Sequence, residues 1–312
     1  MVSADTADLR AETTELLRQV RLIELQTARL VDQHLAGSYQ SIFKGQGIAF
    51  AEVRAYEPGD DVRTIDWNVT ARTGIPHVKQ FTEERELTVM LVVDMSGSLD
   101  LGSRALTKRQ LVARLVATFA FSAIRNNDRV GLVGFTDEVE LFVPPRSGRK
   151  HVLAVISRIL GHRPQRAGTR PEVALEYLAR MGRGNAVVPL ISDFIGAVPE
   201  AGSPRFERAL KVVRRRNDLI PIRVEDPLDR TLPALGLISP EDLEALGVVP
   251  GGAFDLSPRR ARRYAEAATA DVERFEALMA RLRLEAMSVT CGASWQEPMV
   301  RFFERRARRM RR

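Results

Sequence analysis

An aspartate and two serines at alternating positions, Asp94-Met95-Ser96-Gly97-Ser98, follow directly on the apolar segment LTVMLVVD. Alternation turns the three oxygen-bearing side chains the same way, and Gly97 permits a tight turn between them. A second aspartate, Asp193, closes the apolar segment AVVPLIS, and Thr169 stands between two helical patterns. Two carboxylates and three hydroxyls make a hard, all-oxygen ligand set that suits Mg²⁺ or Mn²⁺ in octahedral coordination. No thiolate or imidazole is at hand to favour zinc. Two formal charges balance one divalent ion. Because the hydroxyl ligands are neutral, the ion would stay electrophilic and could take a further oxygen from outside, such as a partner protein's carboxylate.

Each residue also has an ordinary explanation. Asp94 could close an Asx turn, Ser96 and Ser98 could be plain loop residues, and Asp193 could cap a helix. Thr169-Arg170-Pro171-Glu172 reads as a capping box with proline inside the first turn. What favours the joint reading is context: DMSGS follows a buried strand, and an aspartate follows the next core strand.

Such a set needs a scaffold that brings distant loops together. In an open, doubly wound sheet, ligands bind beyond the carboxyl ends of the strands where strand order reverses. LTVMLVVD lacks polar alternation, as a strand covered on both faces does. A helix is expected from about Ser103 to Asn126, with Leu111, Val112, Leu115, Val116 and Phe119 on one face and a break at Asn127-Asp128. RVGLVGF and VELFVPP, joined by Thr136-Asp137-Glu138, demand an antiparallel hairpin. Two helices follow, one ending at Gly161 and one from Pro171 to Met181, then strand AVVPLIS, a helix carrying Phe206, Leu210 and Val213, and strand LIPIRV. The order implies an α/β, doubly wound, mostly parallel sheet with one antiparallel edge strand. Pro189 conflicts with a central position for its strand, because its missing N–H removes a ladder bond; a bulge or a different placement would resolve this.

The chain's 312 residues suit one large domain with appendages. Residues 1–37 read as an amphipathic helix with Val20, Leu22, Ile23, Leu25, Leu30 and Val31 at helical spacing. Residues 38–86 form a small β-rich region with strands in AEVRAY and HVKQF and turns at EPGDD and TGIP. The core spans 87–226. Residues 227–257 are expected to form a hairpin against the β-rich region, since neither piece can bury a face alone. Residues 258–312 supply a helix, a last strand LEAMSVTC and a basic terminal helix.

The net charge of +7 is concentrated in RFFERRARRMRR, with seven arginines and one glutamate. Arginines favour a helix C-terminus, so a solvated helix end is the ordinary reading and an RNA- or membrane-surface patch the alternative. No interleaved stacking residues or zinc-finger spacing support nucleic-acid binding. The single cysteine, Cys291, rules out an intrachain disulfide, reads as a core residue and fits a reducing, cytoplasmic setting. No apolar run approaches the ~20 residues of a membrane helix. The start of the chain, with Asp5, Asp8, Arg10 and Glu12, lacks the order of a signal peptide, so a soluble, unprocessed protein is expected.

Catalytic motifs are missing. A haloacid-type phosphotransferase needs a second aspartate where Ser96 stands, there is no GxxxxGK[ST] or HExxH, and His34, His77, His151 and His162 lie in unrelated segments. A binding module is the preferred reading. A hydrolase using the same ion to activate water and nucleic-acid binding through the tail are the alternatives. Glu57, Asp60, Asp61, Asp66 and Trp67 form an acidic and aromatic cluster that reads equally as a partner surface or as turn chemistry around Pro58-Gly59.

DMSGS resembles the Asp-x-Ser-x-Ser motif of von Willebrand factor A domains, with Thr169 and Asp193 matching that family's later threonine and aspartate. More narrowly, YEPGDDVRTIDWNVTARTGIPHVKQFTEERE, NNDRVGLVGF, VPPRSGRKHV and LISDF are similar to a bacterial family, domain of unknown function 58, over most of the chain. The resemblance implies a von Willebrand factor A-like fold and a metal-ion-dependent adhesion site at Asp94, Ser96, Ser98, Thr169 and Asp193. It also implies a MoxR-type AAA+ ATPase as partner, in assembly or maturation of a client complex. Arg170 departs from the pattern, whose corresponding position is usually acidic; it would weaken ion binding, pair with Asp193 or contact a partner.

Overall fold

The computed structural model describes residues 2–35, 39, 52–57, 60, 62, 65–80, 86–100, 102, 106–166, 168–182, 184–232, 236–238 and 254–310. Six strands form the central sheet: β3 (Thr88–Asp94), β4 (Arg129–Phe135), β5 (Val139–Arg146), β6 (Ala186–Ser192), β7 (Asp218–Glu225) and β10 (Met287–Thr290). Their order is β10-β7-β6-β3-β4-β5, parallel throughout except for β5 at one edge. The chain leaves β3 toward β4 on one side and returns through β6 on the other, so strand order reverses between β3 and β6, the two strands that end in Asp94 and just before Asp193.

Pleating sends alternate residues of β3 into two layers. Val89, Leu91 and Val93 pack with helices α1 (Val2–Leu30), α3 (Lys108–Arg125), α4 (Arg149–Leu160) and α9 (Gln296–Met310). Met90 and Val92 pack with α5 (Pro171–Arg180), α6 (Pro204–Arg214) and α8 (Pro258–Arg281). Covering on both faces explains why LTVMLVVD carries no polar alternation. Val20, Ile23, Leu30 and Val31 of the N-terminal segment join the core, but Leu22 and Leu25 fall off that stripe and are exposed, which corrects the broader apolar face expected from spacing.

Two local features differ from expectation, and Pro189 keeps the central place expected of its strand. Helix α3 starts at Lys108 rather than near Ser103, because Thr107 and Gln110 form a reciprocal capping box there, and the end of the DMSGS run with the two residues after it makes a short 3₁₀ turn, Gly97–Asp100. Pro189 does lie in a central strand: the register with β3 runs Val89↔Val187 and then Val92↔Leu190, passing over the proline, whose nitrogen has no hydrogen to give. Trp67–Thr73 is a helix (α2), capped by Asp66 and stopped at Gly74 with φ 72°, inside the stretch expected to be β-rich.

Strands β1 (Glu52–Ala55) and β2 (His77–Gln80) pair antiparallel, as do β8 (Gly236–Ile238) and β9 (Phe254–Leu256). Among the described residues these are separate two-stranded sheets. No helix of the described residues is long and apolar enough to cross a membrane.

The burial pattern predicts a sharp contrast in urea unfolding. Leu91→Ala, at a fully buried position of β3, should cost about 2–5 kcal/mol. Trp67→Ala, at a position 70% exposed, should stay within roughly 0.5 kcal/mol.

Candidate metal centre

Asp94 and Asp193 are fully buried at the carboxyl ends of β3 and β6. Each uses one carboxylate oxygen locally and the other across the switch point. Asp94 Oδ1 accepts from the Ser96 N–H at 2.8 Å, and Asp193 Oδ1 accepts from the Ile195 N–H at 3.2 Å. These are the Asx turns that an ordinary loop reading predicts. The remaining oxygens are exchanged: Ser192, beside Asp193, donates its hydroxyl to Asp94 Oδ2 at 2.6 Å, and Ser98, of the Asp94 loop, donates to Asp193 Oδ2 at 2.8 Å. Ser96 Oγ lies 3.0 Å from Ser98 Oγ. The structure therefore brings Asp94, Ser96, Ser98 and Asp193 together.

Thr169 sits one strand over. The neighbouring Arg170 N–H donates to the Thr136 carbonyl at 2.8 Å, just past the end of β4, and the Met95 N–H donates to the Phe135 carbonyl at 2.7 Å. The N-cap of α5 is Arg170, with no side-chain cap bond, so Thr169 is not the capping residue its sequence suggests. Its hydroxyl makes no hydrogen bond among the described residues. Arg170 pairs with Glu172 at 3.1 Å, whereas the cation on Asp193 is a different residue. Gly97 has neither a positive φ nor a crowded Cβ position, so the turn does not require glycine.

That other cation is Lys108, which spacing alone did not reveal. Its side chain is fully buried, and Nζ donates to Asp193 Oδ2 at 2.9 Å and to both oxygens of Asp229 at 2.9 and 3.1 Å. It is the first residue of α3, where the helix dipole disfavours a positive charge, so the two carboxylates must outweigh both that field and desolvation. Burial pulls the Lys108 pKa down, but Asp193 and Asp229 reverse the balance and hold it above its ordinary value. At Asp229 burial wins over Lys108, and that carboxyl lies above the usual range. Asp229 belongs to a short helix after β7, α7 (Pro227–Arg230), so one ammonium ties the loops of three strands together.

The loop is braced from below. Arg109 pairs with Asp100 and reaches the Met95 and Ser96 carbonyls at 3.4 Å. On the other side Phe194 takes φ 54°, left-handed backbone that costs a bulky residue roughly 1–3 kcal/mol, and is held there by stacking on Phe275 with centroids 4.5 Å apart.

The donor set fits a small divalent ion. Octahedral bonds of 2.0–2.1 Å place adjacent ligand oxygens about 2.9 Å apart, and the Ser96–Ser98 and Ser98–Asp193 oxygens lie 3.0 and 2.8 Å apart. Among the described residues no three His, Cys, Asp or Glu side chains gather around one point, so an ion here must draw on hydroxyls. Burial, and then the charge of Asp193, push Asp94 up to about 6. His162 instead bonds Glu140, His151 bonds the Val130 carbonyl, and the buried Cys291 thiol is pushed up to about 12, chiefly by burial.

In the acidic and aromatic cluster, turn and cap chemistry accounts for two residues. Asp60 holds Arg54 in a two-pronged pair at 2.6 and 2.8 Å, and Asp66 caps α2. Glu57 is exposed beside Arg54 at 3.8 Å and Trp67 is exposed, while Asp61 lies outside the described residues.

A family model described as "Protein of unknown function DUF58" matches residues 52–274. An uncharacterized protein of Mycobacterium tuberculosis is 33% identical over 296 residues, covering 94% of this chain and 90% of its own. Among solved structures, a conserved hypothetical protein BatB from Bacteroides thetaiotaomicron is 14% identical with a TM-score of 0.44, covering 71% of this chain and 99% of its own. The von Willebrand factor type A protein from Catenulispora acidiphila is 13% identical with a TM-score of 0.35, covering 76% of this chain and 45% of its own.

The centre predicts a stability signature without added metal. A carboxyl whose folded pKa exceeds its unfolded value takes up a proton on folding, so stability falls as pH rises from about 4 to about 6. Asp94→Asn should remove a slope worth on the order of 2–3 kcal/mol across that window in urea titrations. Lys108→Met leaves Asp193 and Asp229 without their cation and should destabilise by about 3–5 kcal/mol at neutral pH.

Proposed function

This chain belongs to the DUF58 family of proteins of unknown function, and we propose that it is a Mg²⁺-dependent (or Mn²⁺-dependent) protein-binding adaptor. The observation that carries this reading is the pairing of two buried carboxylates with serine hydroxyls at octahedral-edge spacing on the switch-point loops. Asp94, Ser96, Ser98 and Asp193 would hold the ion, with Thr169 as the remaining hydroxyl from the adjacent loop. The bound ion would supply an electrophilic position for a carboxylate oxygen of the partner.

Charge supports the stoichiometry. Lys108 is shared between Asp193 and Asp229, so the cluster of Asp94, Asp193, Asp229 and Lys108 keeps the net charge of −2 that one divalent ion would neutralise. In the ion's absence that charge repels an incoming carboxylate. A binding role rather than a catalytic one is supported by the surroundings: the three histidines with described side chains are not at the centre, and Ser96 stands where an aspartyl phosphotransferase would need its second acid. By resemblance the partner is a MoxR-type AAA+ ATPase acting in assembly or maturation of a client complex, and the setting is the cytoplasm.

Ion and partner should bind cooperatively, each tightening the other by the same factor, typically ~1–3 kcal/mol. Calorimetry with Mg²⁺ should show saturable binding to the wild type, none to Asp94→Ala, and a weakened response in Ser98→Ala, which removes a neutral ligand. Capture of the ATPase on the immobilised chain should then depend on Mg²⁺ and on Asp94. Equal capture with Mg²⁺ and with chelator would overturn the adaptor reading.

A further inference from the structure

At the opposite end of the sheet, where β3, β6 and β7 begin, lies a cavity of about 510 Å³, within the size range of small-molecule sites. Its lining includes Arg214, Arg215 and Arg216 from the end of α6, Arg283 from the turn before β10, and Arg306 and Arg309 from the basic terminal helix α9. Two carboxylates share the wall, and both are already answered: Asp218 pairs with Arg306, and Glu285 lies 3.4 Å from Arg309. Arg214 donates to the Leu282 carbonyl. Arg215, Arg216 and Arg283 have no carboxylate partner among the described residues.

The turns at the rim are fixed by backbone hydrogen bonds. Arg283 takes φ 50°, a left-handed conformation that a Cβ disfavours and glycine adopts freely. Asn185, also lining the cavity, takes φ 62° and donates its N–H to the Arg216 carbonyl at 2.6 Å, fixing the turn that carries the arginines. Arg283 caps the C-terminus of α8, where its own N–H and that of Leu284 donate to the Ala280 and Met279 carbonyls at 2.9 Å, so the backbone that carries it to the cavity is fixed. Among the described residues no aromatic side chain lines the cavity, so none of them would stack a base there. Guanidinium forks converging from three elements instead suit tetrahedral oxyanions.

We infer that this cavity binds a small anion carrying two or more linked phosphate groups, either an inorganic oligophosphate or the phosphate chain of a nucleotide. The site lies at the other end of the sheet from the metal centre and does not depend on it. It also gives the arginines of the C-terminal helix a role beyond a solvated helix end.

The test is calorimetry on the full chain at low ionic strength, with inorganic tripolyphosphate as probe. Saturable one-to-one binding is expected, weakened about tenfold or more in the pair Arg216→Ala/Arg283→Gly. It should be unchanged in Arg301→Ala, which removes an exposed arginine of α9 paired with Glu297 outside the cavity. Arg283→Gly alone should raise the thermal midpoint while lowering affinity, a combination that a merely structural arginine would not give. ADP competing equally with tripolyphosphate identifies the phosphate chain as the ligand, and tighter ADP binding identifies a nucleotide. Absence of saturation, full affinity in the double variant, or single-stranded RNA that binds and is not displaced by tripolyphosphate overturns the proposal.

Discussion

The exchange of hydroxyls between two carboxylates, Ser192 to Asp94 and Ser98 to Asp193, is the constraint on which the site depends. It can form only where β3 and β6 are neighbours and end at the same level, which is what the reversal of strand order provides. Two buried carboxylates at such range repel one another, and burial alone already disfavours their charged forms. A fold that keeps them there must supply positive charge. Hydroxyl donors soften the repulsion, and Lys108 supplies one cation on the Asp193 side.

Lys108 links the centre to the rest of the molecule. Because it shares its ammonium between Asp193 and Asp229, the loop after β6 and the short helix after β7 report on the same charge as the loop after β3. A ligand that neutralised Asp193 would change the value of the Lys108–Asp193 bond, so the proposed ion would be linked by electrostatics to the 226–230 segment through Asp229. The strained Phe194, wedged between Phe206 and Phe275, limits how far the Asp193 side can yield. The accommodation therefore falls on the lysine and on Asp229, which is the more exposed of the partners.

Much of this was legible in the sequence. An unbroken apolar strand followed by DMSGS placed Asp94, Ser96 and Ser98 at a strand end, and the β-α-β order placed Asp193 beside them. Lys108 was not legible, because a lysine in a helical pattern is ordinarily solvated and its partners lie 85 and 121 residues away. Ser192 was hidden as the last residue of an apolar strand. For Thr169 the ordinary alternative, a capping box signalled by Thr-x-x-Glu, does not hold, because the helix takes Arg170 at that position. Local pattern specified the elements, while the buried ion pairing arose from tertiary contacts that no window of sequence contains.

Crystals of the full chain grown with Mn²⁺ would test the central claim most directly, through the anomalous scattering of the metal. The account predicts one strong peak within bonding distance of the oxygens of Asp94, Ser96, Ser98 and Asp193, with Lys108 still paired to Asp229. A difference map with no peak at the ends of β3 and β6, or with Lys108 Nζ alone filling the space between the two aspartates, would contradict it.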